Sequence, residues 1–249
     1  MNSRISRSLI IILFFLLWEL LPATGVVNPS LLTPASRMFK TLWGLLWSGE
    51  LLIHLWVSLK RIVLGLGLAV AIGGPLGLVM GWFKDLEKTI DAPLQAGRQV
   101  SALALFPVFI LFFGIGETSK VIIIFWASVW PILLNTIGGV KSIDPLVIKS
   151  ARSMAASGIT LFRKVILPAA APSIFTGVRL GAAYAFMVLV AAEMVGANAG
   201  LGFLVLNSQE VFKIPEMYAA ILALALFGLT INNLLLISER RATRWREVR

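Results

Sequence analysis

Six apolar runs divide the chain, at about 8–22, 58–82, 99–115, 119–138, 170–193 and 216–237. Runs of this length suit helices that cross about 30 Å of hydrocarbon, so the pattern predicts six membrane spans rather than a soluble core. The spacer 26–57 carries Pro29 and Pro34, then an amphipathic piece from Arg37 to Trp47. Trp43, Trp47 and Trp56 suit an interface, where an indole keeps its N–H wet, so this piece is expected to lie on the membrane. A polar, basic, small-residue stretch, Lys141 to Pro168, separates the fourth and fifth runs. Asp144 before Pro145 predicts an N-cap with a first-turn proline. Helix formers fill 146–156, Ser157-Gly158 breaks them, 159–167 resume, and Pro168 is expected to stop the second helix. The expected fold class is all-α: one polytopic membrane domain over residues 1–249 with six transmembrane helices.

Composition agrees on the solvent. Hydrophobic residues make up 58 % of the chain and charged residues 14 %, against about 25 % charged in soluble domains. Mean hydropathy is +0.90. There is no cysteine, which removes disulfides and thiolate chemistry, and the single histidine, His54, excludes a His-rich metal site. No cofactor and no metal are expected.

The net charge of +10 is read as a membrane signature rather than a nucleic-acid one. With the N-terminus inside, sixteen of the 22 Lys and Arg residues fall on cytoplasmic segments and six outside. The bias predicts that both termini and the 141–168 loop are cytoplasmic. The first run has a rival reading as a signal peptide, from Arg4, Arg7 and the apolar Leu9–Leu17. Trp18 and Glu19 follow it and no small-x-small site comes next, so the span is expected to be retained.

Small residues recur every four positions in the second run (Ala69, Gly73, Gly77, Gly81) and the fifth (Ser173, Gly177, Gly181, Ala185). This spacing lines one helix face and lets backbones approach closely. The ordinary reading is packing within the chain; the sharper one is a subunit or sliding interface. Pro75, Pro107 and Pro131 lie inside runs and are expected to kink them.

Catalytic material is scarce. Gly114-Ile-Gly116-Glu117-Thr118-Ser119-Lys120 lacks the G-x-x-x-x-G-K-[ST] spacing of a phosphate-binding loop. H-E-x-x-H, G-x-S-x-G and carboxylate clusters with metal-ligand spacing are also missing. A membrane enzyme is thereby disfavoured, and an energised transporter would need its ATPase on another chain.

The 141–168 loop is long for a compact protein, and such loops are more often functional. Ala151, Ala155 and Ala156 leave a face for close approach, and Phe162, Val165 and Ile166 offer apolar anchors. The bland alternative is a connector lying on the membrane surface. The loop resembles the coupling motif of ABC importer permeases, E-A-A-x-x-x-G-x9-I-x-L-P. Its positions fall on Lys149, Ser150, Ala151, Ala155, Val165, Leu167 and Pro168. Ala151, Leu167 and Pro168 match and Val165 stands for Ile. Lys149 reverses the charge of the motif's acid, and Ala155 stands in place of its glycine.

SLKRIVLGLGLAVAIGGPLGLVMG, LFFGIGETSK, WPILLNTIGGVKSI, VILPAAAPSIFTGVRLG and LVAAEMVGANAGLGF extend the resemblance over most of residues 58–204. Together they resemble the nitrate/sulfonate/taurine permease family. The resemblance implies a type I importer permease, five core helices plus one N-terminal helix. It also implies an assembly of two permease subunits, two cytoplasmic ATP-binding subunits and one extracytoplasmic binding protein in the inner membrane. ATPase coupling would fall to Lys149, Ser150, Ala151, Ala155, Ala156, Ser157, Gly158, Phe162, Val165, Leu167 and Pro168.

Ionisable or amide groups inside spans mark pathways by default. Asn135, Arg179, Glu193, Asn232 and Asn233 are the candidates. Glu193 is read either as lining the pathway or anchoring a gate loop, Gly196–Gly202, or as an interfacial group bonded to Asn198 or to backbone N–H groups. Arg179 would snorkel inward or meet an anion. Gly200-Leu201-Gly202-Phe203, followed by Asn207 and Gln209, predicts a short helix between spans five and six as an outer gate. The favoured function is the permease subunit of an ATP-driven importer for a small anion: sulfonate or taurine first, then nitrate or bicarbonate. A channel or secondary transporter is the rival from another class, and it has no need of the loop. A homodimer is the simplest way for one loop per chain to engage two ATPases.

Overall fold

The computed structural model describes residues 2–25, 27–28 and 30–243. Pro29 and the charges of Arg244, Arg246 and Arg249 lie outside the described residues, as do the side chains of Arg4, Arg7, Lys84 and Lys88. The described chain is all helical. In order it runs α1 (Asn2–Ala23), α2 (Ala35–Trp47), α3 (Glu50–Trp82), α4 (Lys84–Gln99), α5 (Ala102–Phe113), α6 (Glu117–Lys141), α7 (Pro145–Ser153), α8 (Gly158–Leu161), a π-turn (Phe162–Ile166), α9 (Leu167–Met194), α10 (Leu201–Glu210) and α11 (Ile214–Ala242).

Four described stretches are long and apolar enough to cross a membrane: α3, α6, Gly158–Met194 and α11. The third predicted run is not one straight span. Thr89–Gln99 and Ala102–Phe113 meet at 92° across Val100-Ser101, and count as a fifth span only if taken together. With 12 residues, α5 rises only about 18 Å, well short of the hydrocarbon thickness. The described apolar part of the first run is short, Leu13–Ala23. Pro75, Pro107 and Pro131 all lie within continuous helices.

The chain forms two compact units. The first holds residues up to Ser58 and Glu193–Phe227. In it, Trp18 Nε1 donates to the Thr33 carbonyl at 2.9 Å, and the Glu19 carboxylate accepts from the Ser36 N–H and hydroxyl at 2.9 and 2.7 Å. Glu19 therefore serves the first turn of α2, whose N-cap residue, Pro34, offers no side-chain cap. The amphipathic expectation for α2 holds: Ala35, Met38 and Leu45 are buried, and Trp43 and Trp47 stand exposed.

The second unit holds Leu59–Ala192 and residues from Gly228 on. Helix α6 is its axis. A Cβ added at Gly73, Gly77 or Gly81 would stand within 3.2 Å of Val129, Thr136 or Val140 on α6. One added at Gly177 or Gly181 would meet Asn135 or the Ser128 carbonyl of α6 within 3.0 Å. Both small-residue stripes are thus used for close packing of α3 and α9 on α6. Buried Arg61 donates Nε–H to Glu117 at 2.7 Å, bonding α3 to the first turn of α6.

Candidate functional site

The 141–168 loop belongs to the second unit. Its first helix starts as the residues require: Asp144 Oδ1 accepts the Leu146 N–H at 2.7 Å, and Pro145 occupies the first turn. The helix ends at Ser153, where the Met154 and Ala156 N–H groups return to carbonyls of Ser150 and Ala151. Ala155 has φ +60 and Gly158 φ +50. For an L-residue with a Cβ, the left-handed conformation costs about 1–2 kcal/mol. A glycine holds it freely, which is why the importer motif's glycine suits this position.

The second helix does not stop at Pro168. Helix α8 passes through the π-turn directly into α9, and Pro168 is the second residue of α9. A proline in mid-helix clashes with the carbonyl four residues back, here Lys164, and gives no N–H. The wider turn at Phe162–Ile166 relieves both problems without ending the helix.

Under the loop lies an apolar core of Val140, Ile143, Leu161, Ile166 and Ala170, against which Ala151, Phe162 and Val165 pack. Phe162, Val165 and Ile166, expected as anchors for a partner, therefore hold the loop to its own unit. The apolar side chains that stand out are Leu146, Met154 and Ile159, exposed by 66, 84 and 68 %. Lys149, Ser150, Ala155, Ser157 and Gly158 are exposed, Ala156 and Pro168 half-buried, and Leu167 just exposed. Arg152, Ala155, Ala156, Ser157 and Gly158 line a cavity of about 480 Å³ that reaches Trp82 and Ile166.

A second constellation lies in the first unit. The Glu193 carboxyl is fully buried and accepts the Ser58 hydroxyl, at 2.7 and 2.9 Å, and the Gly202 N–H at 2.9 Å. Ser58 Oγ in turn accepts the Leu201 N–H at 2.9 Å. His54 Nδ1 accepts the Gly200 N–H at 3.1 Å, and its ring packs near Phe203. Three successive backbone donors at the start of α10 are thus taken by side chains, two of them from α3. A carboxyl group at a helix N-terminus is also favoured by the helix dipole. Gly200 has φ +126, and a Cβ there would stand 2.6 Å from both Glu193 oxygens. Only glycine lets the loop close on that carboxyl.

Glu193 bonds a backbone N–H of the Gly196–Gly202 loop, a geometry common to the anchoring reading and to the reading of a group bonded to backbone N–H groups, and α10 is the expected short helix. Asn198 is exposed, as are Asn232 and Asn233. Asn135 Nδ2 donates to the Pro131 carbonyl of its own helix at 2.7 Å. Arg179 meets an anion from its own unit, Glu239, at 3.3 Å. His54 and Ser58 escaped the sequence reading. Their signal was two polar residues four apart on one face of an apolar helix, at the start of the second run.

Residues 73–245 match the family described as binding-protein-dependent transport system inner membrane component. The chain is 36 % identical to the taurine transport system permease protein TauC of Escherichia coli, over 90 % of this chain and 80 % of that one. It is 35 % identical to the putative aliphatic sulfonates transport permease protein SsuC of the same organism, over 92 % and 87 %. It is 30 % identical to the bicarbonate transport system permease protein CmpB of Synechocystis, over 88 % and 82 %. Among solved structures, an inward-facing MetNI methionine ABC transporter chain shares the fold, with TM-score 0.67 at 19 % identity over 81 % of this chain and 97 % of that one. The chain belongs to the binding-protein-dependent ABC importer permeases, in the group of the sulfonate, taurine and bicarbonate permeases. It is a membrane translocation subunit and not an enzyme.

Proposed function

We propose that this chain is one of two identical membrane subunits of an ATP-driven importer for a small anion, aliphatic sulfonate first. Taurine, nitrate and bicarbonate come next. The chain acts as one permease domain; its 141–168 loop docks an ATP-binding subunit in the cytoplasm, and an extracytoplasmic binding protein delivers the solute. The observation that carries the reading is the loop itself. Met154 and Ile159 stand exposed on either side of the Ala155–Gly158 turn, which lines a cavity, and Leu146 stands exposed on the helix before it, on a segment that resembles the importer coupling motif at Ala151, Val165, Leu167 and Pro168. A connector on the membrane surface would have no use for a rigid core beneath it and a pocket in its turn. The Lys and Arg bias supports cytoplasmic placement of this loop and of both termini.

The test is co-purification. Ala155→Arg sets a bulky charge at the rim of the cavity, where burial without a partner costs several kcal/mol. The variant is expected to reach the membrane at normal level, lose its ATP-binding subunit on purification and abolish uptake. Undiminished binding and transport would leave the loop a connector. Cysteine at Ser157 should react with an impermeant thiol reagent only in opened cells; labelling of intact cells would reverse the orientation.

A further inference from the structure

Helix α10 ends in a way that its residues do not favour. The Phe212 N–H returns to the Gln209 carbonyl at 3.1 Å, and the Lys213 N–H to the Ser208 carbonyl at 2.8 Å. This pair of bonds is the Schellman ending, whose left-handed residue is most often glycine. Here that residue is Phe212, with φ +56. A bulky side chain at positive φ is a strained outlier, and such strain points to a use. The same side chain is 85 % exposed, so its own unit offsets little of that strain. Phe212 shares the lining of a cavity of about 250 Å³ with Ser30, Thr33 and Arg37. Arg37 is the single charged residue of the lining, and it makes no ion pair among the described residues. Leu31, on the same stretch, and Val211 also stand exposed. Hydrocarbon is a poor cover for this patch, because exposed Glu210 and Lys213 bracket Phe212 and the cavity beside it is polar. An aromatic anchor beside an arginine, with polar groups around it, is the make-up of a protein-binding hot spot. One candidate span, Gly158–Met194, lies along the chain between the 141–168 loop and this turn, so the turn emerges on the other membrane face. The family matched by residues 73–245 depends on a binding protein.

We propose that Phe212 and Arg37 form a docking surface for the extracytoplasmic binding protein, with the Phe212 ring seated in an apolar recess of that protein and Arg37 meeting one of its carboxylates. The proposal rests on the importer reading above and names the surface at which this partner is met. The left-handed turn aims the ring outward, and burial of the ring on docking offsets its exposure. Helix α10 gives the ring a fixed platform, because its first turn is held by Glu193, Ser58 and His54.

The test uses the assembled transporter in nanodiscs and, as probe, the fluorescently labelled binding protein that supports uptake with it. Phe212→Gly removes the ring and relieves the left-handed turn. It is expected to raise the melting temperature by about 2 °C and to weaken binding about tenfold or more. A residue with a merely structural role would not move stability and binding in opposite directions. Phe212→Trp keeps an aromatic anchor and is expected to bind within about threefold of wild type. Arg37→Gln is expected to weaken binding about threefold in low salt, with the difference shrinking in high salt. Undiminished binding by Phe212→Gly would overturn the surface; if brominated lipid then quenches Phe212→Trp more than wild type, the bilayer covers the ring instead. Loss of binding in Phe212→Gly together with separation of the two permease copies would overturn it as well, and make Phe212 a contact between copies. Uptake separates the two readings. Wild-type uptake with undiminished binding in Phe212→Gly removes this surface and leaves the importer, whereas no uptake of sulfonate, taurine or bicarbonate by the wild type removes the importer assignment itself.

Discussion

The segment between α6 and α9 and the segment between α9 and α11 each carry short helical structure on an apolar chain, yet they are held in opposite ways. At the second, Glu193, Ser58 and His54 satisfy the Gly200, Leu201 and Gly202 amides within a buried cluster. At the first, Ser157 caps nothing, Ala155 is strained, and the turn rests on an apolar underside with its own apolar residues turned out. Buried polar networks fix one arrangement because every broken bond leaves a group stranded. An apolar floor under an exposed surface holds a shape and leaves that surface free to be matched. The difference separates a cluster closed on itself from an exposed face, which is the face the proposed docking would use.

The strongest way to break the comparison is Glu193→Ala. It strands the Ser58 hydroxyl and the Gly202 N–H, each at about 1–3 kcal/mol. A large fall in the melting temperature of the purified permease is expected, with uptake lost; a wild-type melting curve would show that the cluster latches nothing. Ser58→Ala removes the donor to Glu193 and the acceptor of the Leu201 N–H, and should cost about 2 kcal/mol by the same measurement. In the 141–168 loop the sign reverses. Ala155→Gly relieves the left-handed strain and should raise stability by up to about 1 kcal/mol while uptake persists. Met154→Ser lies at the small end for stability, within about 0.5 kcal/mol for so exposed a side chain. It should still weaken recovery of the ATP-binding subunit, and unchanged recovery would remove Met154 from the proposed docking face.

Much of this architecture was legible in the pattern. The positions of four spans, the amphipathic α2, the Asp144–Pro145 helix start and α10 all follow from local signals, which act within a turn or two of the residues that carry them. What was not legible depends on partners far along the chain. Glu193 and Ser58 are 135 residues apart, so nothing local tells that Ser58 faces a carboxyl. The bend at Val100-Ser101 lies at the start of an apolar run with no glycine or proline at the bend itself; Ser101 before Ala102 was its only cap signal. Pro168 misled because a proline usually ends a helix, and a wider turn is a rarer remedy. Phe162 and Val165 looked like anchors because apolar character is visible in sequence, whereas the direction it faces is set by the core beneath.

The π-turn at Phe162–Ile166 has a mechanical consequence. Such a turn holds one residue more than an α-turn. Tightening it to α geometry would pass that residue into the helix that follows and, at 3.6 residues per turn, rotate the two sides of the segment by about 100° relative to each other. The five residues between the loop and α9 thus store a unit of helical register. Motion of the loop can be converted there into rotation of a membrane helix about its own axis, with no hinge in that helix and no bend along its length.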